Sequence, residues 1–268
     1  MQSPPIVFTD LDGTLLDHQT YGYEAARPAL ARLRDRGIPL VLCTSKTAAE
    51  ILALRDNPDF RDCAAIVENG AGLLDPGSRE PVPTPTHARL MDLVDSLPGH
   101  LRNTFSGFSN WSLETLVEFT GLDTQSARRA ARRDYSEPGL WQGSAQERRE
   151  FEAELGRLGV VMQQGGRFLT LGFPASKADR MREMIAASEA SRGVPVTAIA
   201  LGDAANDIEM LEHADIGIVV PNPAHAGIPT LAGESRGRIM RATAAGPAGW
   251  NDSLLALLDD PRFQARGT

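Results

Sequence analysis

Two carboxylates one residue apart give the sequence its clearest chemical signal. The run Asp10-Leu11-Asp12-Gly13-Thr14 follows directly on the apolar stretch Pro5 to Phe8. Carboxylates this close repel one another unless a cation or a shared proton intervenes, and magnesium, a hard ion that takes carboxylate and phosphate oxygens together, resolves the conflict. Gly13 lets the chain turn sharply and aim backbone N–H groups at an anion. An ordinary polar turn after a strand uses the same residue types, so the motif needs company. A second acid pair supplies it: Gly202-Asp203-Ala204-Ala205-Asn206-Asp207 follows the apolar stretch Thr197 to Leu201. Asp203 and Asp207 share a face if a helix begins here, and two like charges there cost stability unless a cation sits against them. Between the pairs lie Thr44-Ser45-Lys46-Thr47 and Lys177. Hydroxyls opening a helix can hold a phosphate, or act simply as an N-cap. Of 27 basic residues only Lys46 and Lys177 are lysines. Codon usage can produce such a bias, but both lysines fall beside these motifs, where a compact point charge does what arginine cannot.

Each motif sits where a short apolar run gives way to a helical pattern. Pro39 to Cys43 leads into Thr44, Ala64 to Val67 into Glu68-Asn69-Gly70, and Ala214 to Val220 ends at Pro221. Buried strands alternating with helices imply an α/β fold with a Rossmann-like parallel sheet covered on both faces. In such sheets functional groups gather at the carboxyl ends of the strands, which is where every motif falls. A Pro- and Gly-rich connector, Asp75 to Thr86, and a second break, Phe173-Pro174-Ala175-Ser176, bracket a different region. Its pattern predicts helices over 87–97, 112–119, 123–133 and 145–158, with Asp123 as an N-cap, and short strands over 140–142, 160–163 and 167–171. The expected organisation is a core of residues 1–84 and 174–268 with a smaller α/β domain, 85–173, inserted. Gly165-Gly166 reads as a hairpin turn, and 263–268 as a loose tail.

The chain has 268 residues and a formal net charge of -8, which disfavours nucleic acid or an anionic membrane as partner. No apolar run approaches the ~20 residues needed to span a bilayer, and no export signal shows at the start. Cys43 and Cys63 read as small buried hydrophobes, not as a disulfide framework. The simplest location is the cytoplasm. His18, His87, His100, His213 and His225 show no metal spacing, and the Arg128, Arg129, Arg132, Arg133 stripes read as a solvated helix face.

Acid pair, hydroxyl, lysine and second acid pair, in this order and each at a strand's end, resemble the haloacid dehalogenase-like (HAD) phosphatases along the whole chain. The resemblance implies that Asp10 attacks phosphorus to form an aspartyl-phosphate, while Asp12 protonates the leaving oxygen and then activates water. It implies magnesium held by Asp10, the Asp12 backbone carbonyl and Asp203, with Asp207 in support. Thr44 and Lys177 would clamp the phosphoryl oxygens.

Within that superfamily the chain is most similar to the mannosyl-3-phosphoglycerate phosphatases. The carrying residues are Thr44-Ser45-Lys46-Thr47, Glu68-Asn69-Gly70, Tyr135-Ser136-Glu137-Pro138, Gly165-Gly166-Arg167-Phe168 and Gly246-Pro247-Ala248-Gly249-Trp250. Ala178, where glycine is expected after the lysine, and Ala71, in place of a second glycine, depart from the pattern. The resemblance implies an inserted domain that closes over a sugar joined to phosphoglycerate. Lys46, Arg133 and Arg167 suit the substrate's carboxylate, and Glu137 and Asn69 its sugar hydroxyls. Ser45, Gly70 and Asn206 complete the expected substrate contacts. The expected partner is a small anionic phosphorylated sugar metabolite. The readings left open beside this one are a glucosyl-3-phosphoglycerate or broader sugar-phosphate phosphatase, a phosphomutase, a signalling receiver and a non-catalytic binding protein.

Overall fold

The computed structural model describes residues 4–165, 167–224 and 226–261. The expected tail, the turn role of Gly166, the export-signal reading at 1–3 and His225 lie outside them. In chain order the elements begin with β1 (Pro5–Thr9), α1 (Arg27–Asp35), β2 (Leu40–Cys43), α2 (Ala48–Leu54), β3 (Ala64–Val67) and β4 (Gly72–Leu74). There follow α3 (Thr86–Asp95), α4 (Gly99–Arg102), β5 (Phe105–Gly107), α5 (Leu113–Thr120), α6 (Thr124–Ala130), β6 (Ser136–Trp141), α7 (Ala145–Arg157), β7 (Val161–Gly165) and β8 (Phe168–Gly172). The chain ends with α8 (Lys177–Arg192), β9 (Thr197–Gly202), α9 (Ile208–His213), β10 (Ile216–Val219), α10 (Ala232–Ser235), β11 (Ile239–Arg241) and α11 (Gly246–Asp259).

Contacts divide the chain into two compact units, one of residues 1–44, 57–77 and 176–268, the other of residues 45–56 and 78–175. The second unit thus takes in 45–56, including α2, as well as the middle of the chain.

The first unit is built on a seven-stranded sheet in the order β11-β10-β9-β1-β2-β3-β4. All neighbours are parallel except β4, which pairs antiparallel with β3. The parallel sheet is the expected one, and β1 lies at its centre, between β2 and β9. Alternate residues explain why both faces are buried. Ile6 and Phe8 of β1 join Ala198 and Ala200 of β9 and Ala178 and Met181 of α8 in one core. On the opposite face the buried indole of Trp250 on α11 donates to Thr9 Oγ1 at 2.9 Å. Helix α1 packs against α11, and the Asn251 side chain accepts the Ala29 amide at 3.0 Å, satisfying one of the N–H groups that a helix start leaves open.

The second unit carries a four-stranded antiparallel sheet in the order β5-β6-β8-β7. Leu169 and Leu171 of β8 face a core with Leu90 and Val94 of α3 and Phe151 and Leu155 of α7. Phe168, of opposite parity, packs with Phe108, Trp111 and Leu116. Asp123 caps α6 as expected, accepting the Gln125 and Ser126 amides at 2.8 and 3.0 Å. Strand β6 begins four residues before the strand expected at Leu140. Pro138 and Gly139 read as turn residues, yet they pair with Thr170 and Leu169 of β8, so tertiary pairing overrides local preference. Strands β4, β5 and β11 are three residues each, too short for a periodicity to register.

No helix among the described residues is long and apolar enough to cross a membrane. Cys43 and Cys63 are both buried. Burial pushes the Cys43 thiol well above its ordinary value of 9.0. Iodoacetamide should therefore leave Cys43 unmodified in the native protein and label it in urea, as read by mass spectrometry. Above pH 9 the unfolded chain gains by ionising this thiol and the folded chain does not. Its contribution to stability is present below that pH and falls as pH rises past it.

Candidate active site

The site stands at the carboxyl ends of β1, β2, β3 and β9, all in the first unit. Asp10 is the first residue after β1, and its amide continues the ladder by donating to the Leu201 carbonyl at 2.9 Å. The chain then coils on itself: the Thr14 and Leu16 amides both return to the Leu11 carbonyl, at 3.2 and 2.8 Å, and the Gly13 amide reaches Leu16. Gly13 has φ +88°, and a Cβ there would overlap Asn222 Nδ2 and stand 2.8 Å from Asp203 Oδ2. Only glycine satisfies both the turn and that close approach.

After β9 the expected helix does not start at Asp203. A short turn over Ala205–Asp207 precedes α9, which begins at Ile208. The two acids meet by a different route from a shared helix face. Asp207 folds back so that Oδ2 accepts the Asp203 and Ala204 amides, each at 3.1 Å, leaving Oδ1 for the Lys177 ammonium at 2.7 Å. One carboxylate therefore both closes the turn and forms an ion pair.

Lys177 opens α8, whose N-cap is Ser176, and is buried to 1% exposure. Its Nζ donates to Asp10 Oδ1 at 2.6 Å as well as to Asp207. Asp203 is gripped through both oxygens, by Thr14 Oγ1 at 2.8 Å and by Asn222 Nδ2 at 2.7 Å. Carboxylate oxygens of Asp10, Asp203 and Asp207 lie within 4.8 Å of one another.

Electrostatics explain what this arrangement lacks. Burial holds the Asp10 carboxyl well above its ordinary range, against the pull of Lys177 and with added repulsion from Asp207 and Asp203. Burial alone would lower the Lys177 ammonium, but Asp10 and Asp207 outweigh it and hold that group up. Both directions express one deficit: among the described residues a single ammonium faces three buried carboxylates. A hard divalent cation is the chemistry that such an oxygen donor set fits.

The other residues expected in the site fall into two groups. Within the first unit, Thr44 is buried at the end of β2; its amide donates to Ile66 O at 2.9 Å and its carbonyl accepts the Asn69 amide at 2.9 Å. Asn206 donates to Asn69 Oδ1 at 3.1 Å, so two expected substrate residues touch each other. Asp12 is half-buried in the turn after Asp10. Gly70 lies against the chain at Ser176 and Lys177.

Ser45, Lys46, Arg133, Glu137 and Arg167 belong to the second unit. There the Arg133 guanidinium donates to the Ser45 carbonyl at 3.0 Å, bringing it to the Ser45-Lys46 stretch. Glu137 is 1% exposed and its carboxylate is engaged within its own unit. Oε1 accepts the Ser109 amide and hydroxyl at 2.8 and 2.7 Å, and Oε2 meets His87 Nε2 at 2.7 Å. Arg167 is exposed, its guanidinium over the Phe168 ring and donating to the Thr120 carbonyl at 3.3 Å. Among the described residues, sequence reasoning missed Asn222 and gave Thr14 no part beyond its motif. Asn222 directly follows Pro221, which ends an apolar run, as the other motifs follow theirs; that position was the available signal.

A parallel α/β sheet with acids, a threonine and a lysine gathered at its carboxyl edge defines a Rossmann-like α/β architecture with its polar site at the strand ends. The chain belongs to the haloacid dehalogenase-like hydrolases, whose family model matches residues 7–88 and 175–228, just over half of it. Solved structures share the fold along nearly their whole length. A phosphatase of the haloalkanoate enzyme superfamily from Bacteroides thetaiotaomicron is 17% identical with a TM-score of 0.62, covering 95% of each chain. A haloacid dehalogenase-like hydrolase from the same organism is 19% identical at 0.66, covering 95% of this chain and 99% of the other. The sucrose-phosphatase of Synechocystis, solved with sucrose and phosphate, is 14% identical at 0.60, covering 96% and 98%.

Proposed function

We propose that the chain is a magnesium-dependent phosphomonoesterase that works through an aspartyl-phosphate on Asp10. Its proposed substrate is mannosyl-3-phosphoglycerate, cleaved to mannosylglycerate and phosphate. One observation carries the chemistry: the Lys177 ammonium bridges Asp10 and Asp207 at 2.6 and 2.7 Å beside Asp203. In this reading Asp10 attacks phosphorus, the ester P–O bond breaks, and Asp12 gives its proton to the departing oxygen. Asp12 then takes a proton from the water that hydrolyses the Asp10 phosphate, restoring both acids. Lys177 fixes Asp10 through Oδ1 and neutralises charge on the phosphoryl oxygens, to which the Thr44 hydroxyl donates a hydrogen bond. Magnesium, held by Asp10, the Asp12 backbone carbonyl, Asp203 and Asp207, would supply positive charge against the phosphate when bound. Support for an acidic, sugar-bearing substrate is narrower: it is the placement of Arg133 at Ser45-Lys46, and the chain's similarity to the mannosyl-3-phosphoglycerate phosphatases over five short motifs.

Free-phosphate release from mannosyl-3-phosphoglycerate, its glucosyl analogue and hexose phosphates, with and without magnesium, tests this function. Strong magnesium-dependent preference for the mannosyl compound is expected. Preference for the glucosyl analogue, or equal turnover of hexose phosphates, would replace the substrate and keep the mechanism; no release from any ester would overturn both. Because Asn222 holds one oxygen of Asp203, Asn222→Ala should weaken magnesium activation about 10- to 100-fold, read as the metal concentration giving half-maximal rate.

A further inference from the structure

We infer that Gly70 is a positioning residue: its lack of a side chain sets where Lys177 stands against Asp10. The kinetic part of this inference rests on the phosphatase reading above; the geometric part stands without it. Glu68, Asn69 and Gly70 follow β3 with φ of +47°, +57° and +103°, three successive residues in left-handed conformations. Such a run persists only where its surroundings hold it, and here they do. The Asn69 amide is bonded to the Thr44 carbonyl at 2.9 Å, and Arg180 Nε donates to the Gly70 carbonyl at 3.4 Å. The loop therefore ties the end of β2 to the first turns of α8.

At Gly70 the two chain segments meet backbone to backbone. A Cβ there would overlap the Ser176 carbonyl carbon and oxygen and stand 2.8 Å from the Lys177 nitrogen. All three are main-chain atoms, so no rotamer change relieves the overlap. Ser176 is the N-cap of α8 and Lys177 its first residue, so moving Ser176 moves the Lys177 Cα with it. At the other end of the side chain, Nζ is held by two buried carboxylates at 2.6 and 2.7 Å, so a displaced main chain must either draw Nζ off this bridge or refold the stem between them. Gly37 offers a control. It has φ +61°, and a Cβ there would meet no neighbour within 4 Å, so alanine there meets a left-handed backbone, milder than the +103° of Gly70, without the collision.

The test uses the full chain with its lysines labelled with 13C, because Lys46 and Lys177 alone give signals. In Gly70→Ala the Lys177 side-chain signals should shift while those of Lys46 stay, and in Gly37→Ala neither should move. On para-nitrophenyl phosphate with magnesium, Gly70→Ala should lower kcat about 10- to 100-fold. In a Lys177→Ala background the same substitution should change the rate less than twofold, because the group it acts through is already gone. Should Gly70→Ala fail to fold, the double variant Gly70→Ala/Ser176→Gly, in which the freer backbone at 176 can yield to the new Cβ while glycine keeps an acceptable N-cap, carries the same comparisons against Ser176→Gly alone. Unmoved Lys177 signals, or an undiminished effect in the Lys177→Ala background, would overturn the inference and make Gly70 a packing residue only. If the parent protein hydrolyses no phosphate ester, the phosphatase reading fails and the lysine signals still decide the positioning role.

Discussion

Asp10→Asn is expected to lower phosphate release by at least about 10⁴-fold while the protein stays folded. In the proposed mechanism the Asp10 carboxylate is the group that bonds to phosphorus, and the amide that replaces it is a poor nucleophile of nearly the same shape. Loss of a nucleophile removes most of the rate that the rest of a site can use. The fold should survive because the substitution removes one of three like charges from a buried cluster whose counter-charge is Lys177. In metal-free buffer the variant should melt no lower than the parent, since Lys177 keeps Asp207 as a partner at 2.7 Å. Purified Asp10→Asn protein assayed for phosphate and scanned by circular dichroism settles both points. Retention of more than a tenth of the parent rate would remove Asp10 from its proposed role. A collapse of the fold would show that the Asp10–Lys177 bond is structural first.

Lys177 should respond to substitution in two separable ways. Lys177→Met keeps much of the side-chain volume but leaves three carboxylates in a buried site with no ammonium among them. Removing one partner of a buried ion pair typically costs about 3–5 kcal/mol, so a large drop in the urea midpoint is expected, partly recovered by added magnesium. Lys177→Arg keeps the charge and changes its shape. A planar guanidinium cannot place one nitrogen 2.6 and 2.7 Å from two carboxylates as Nζ does without moving them, at a position 1% exposed. The expected result is a kcat loss of about 100-fold or more, since displacements near 1 Å can cost that much. A Lys177→Arg enzyme within threefold of the parent would show that charge alone matters there.

How far the sequence revealed the molecule depended on whether a feature was local. The strands β1, β2, β3 and β9 were legible because each is an unbroken apolar run ended by a polar motif, and that pattern also placed the motifs at one edge of a sheet. Asp10, Asp203, Asp207 and Lys177 were legible as residue types, and the structure brings all four together. The geometry joining them was not legible. The turn at Ala205–Asp207 replaces the helix that spacing alone suggested, because Asp207 accepts two amides that a helix would have directed elsewhere. Asn222 stayed hidden because its part depends on Gly13, more than two hundred residues earlier in the chain, leaving room for its amide. Glu137 reads in sequence as a polar residue open to a ligand. In the folded chain Ser109 and His87 engage its carboxylate, and no periodicity could have disclosed those partners.

The central place of β1 bears on the order in which the molecule can assemble. One neighbour, β2, follows it closely in the chain, but the other, β9, begins only at Thr197. A growing chain that has reached Arg192 carries Asp10 and Lys177 but neither Asp203 nor Asp207, and β1 still has an unpaired edge. Pairing across that distance forms late and slowly, because a long loop must close before any contact rewards it. An open, apolar strand edge is also what invites association with other chains. Synthesis of the last quarter of the chain is thus the step that both shields the first strand and completes the acidic cluster. Slowing translation there should raise the share of protein lost to aggregation more than slowing it within residues 78–175.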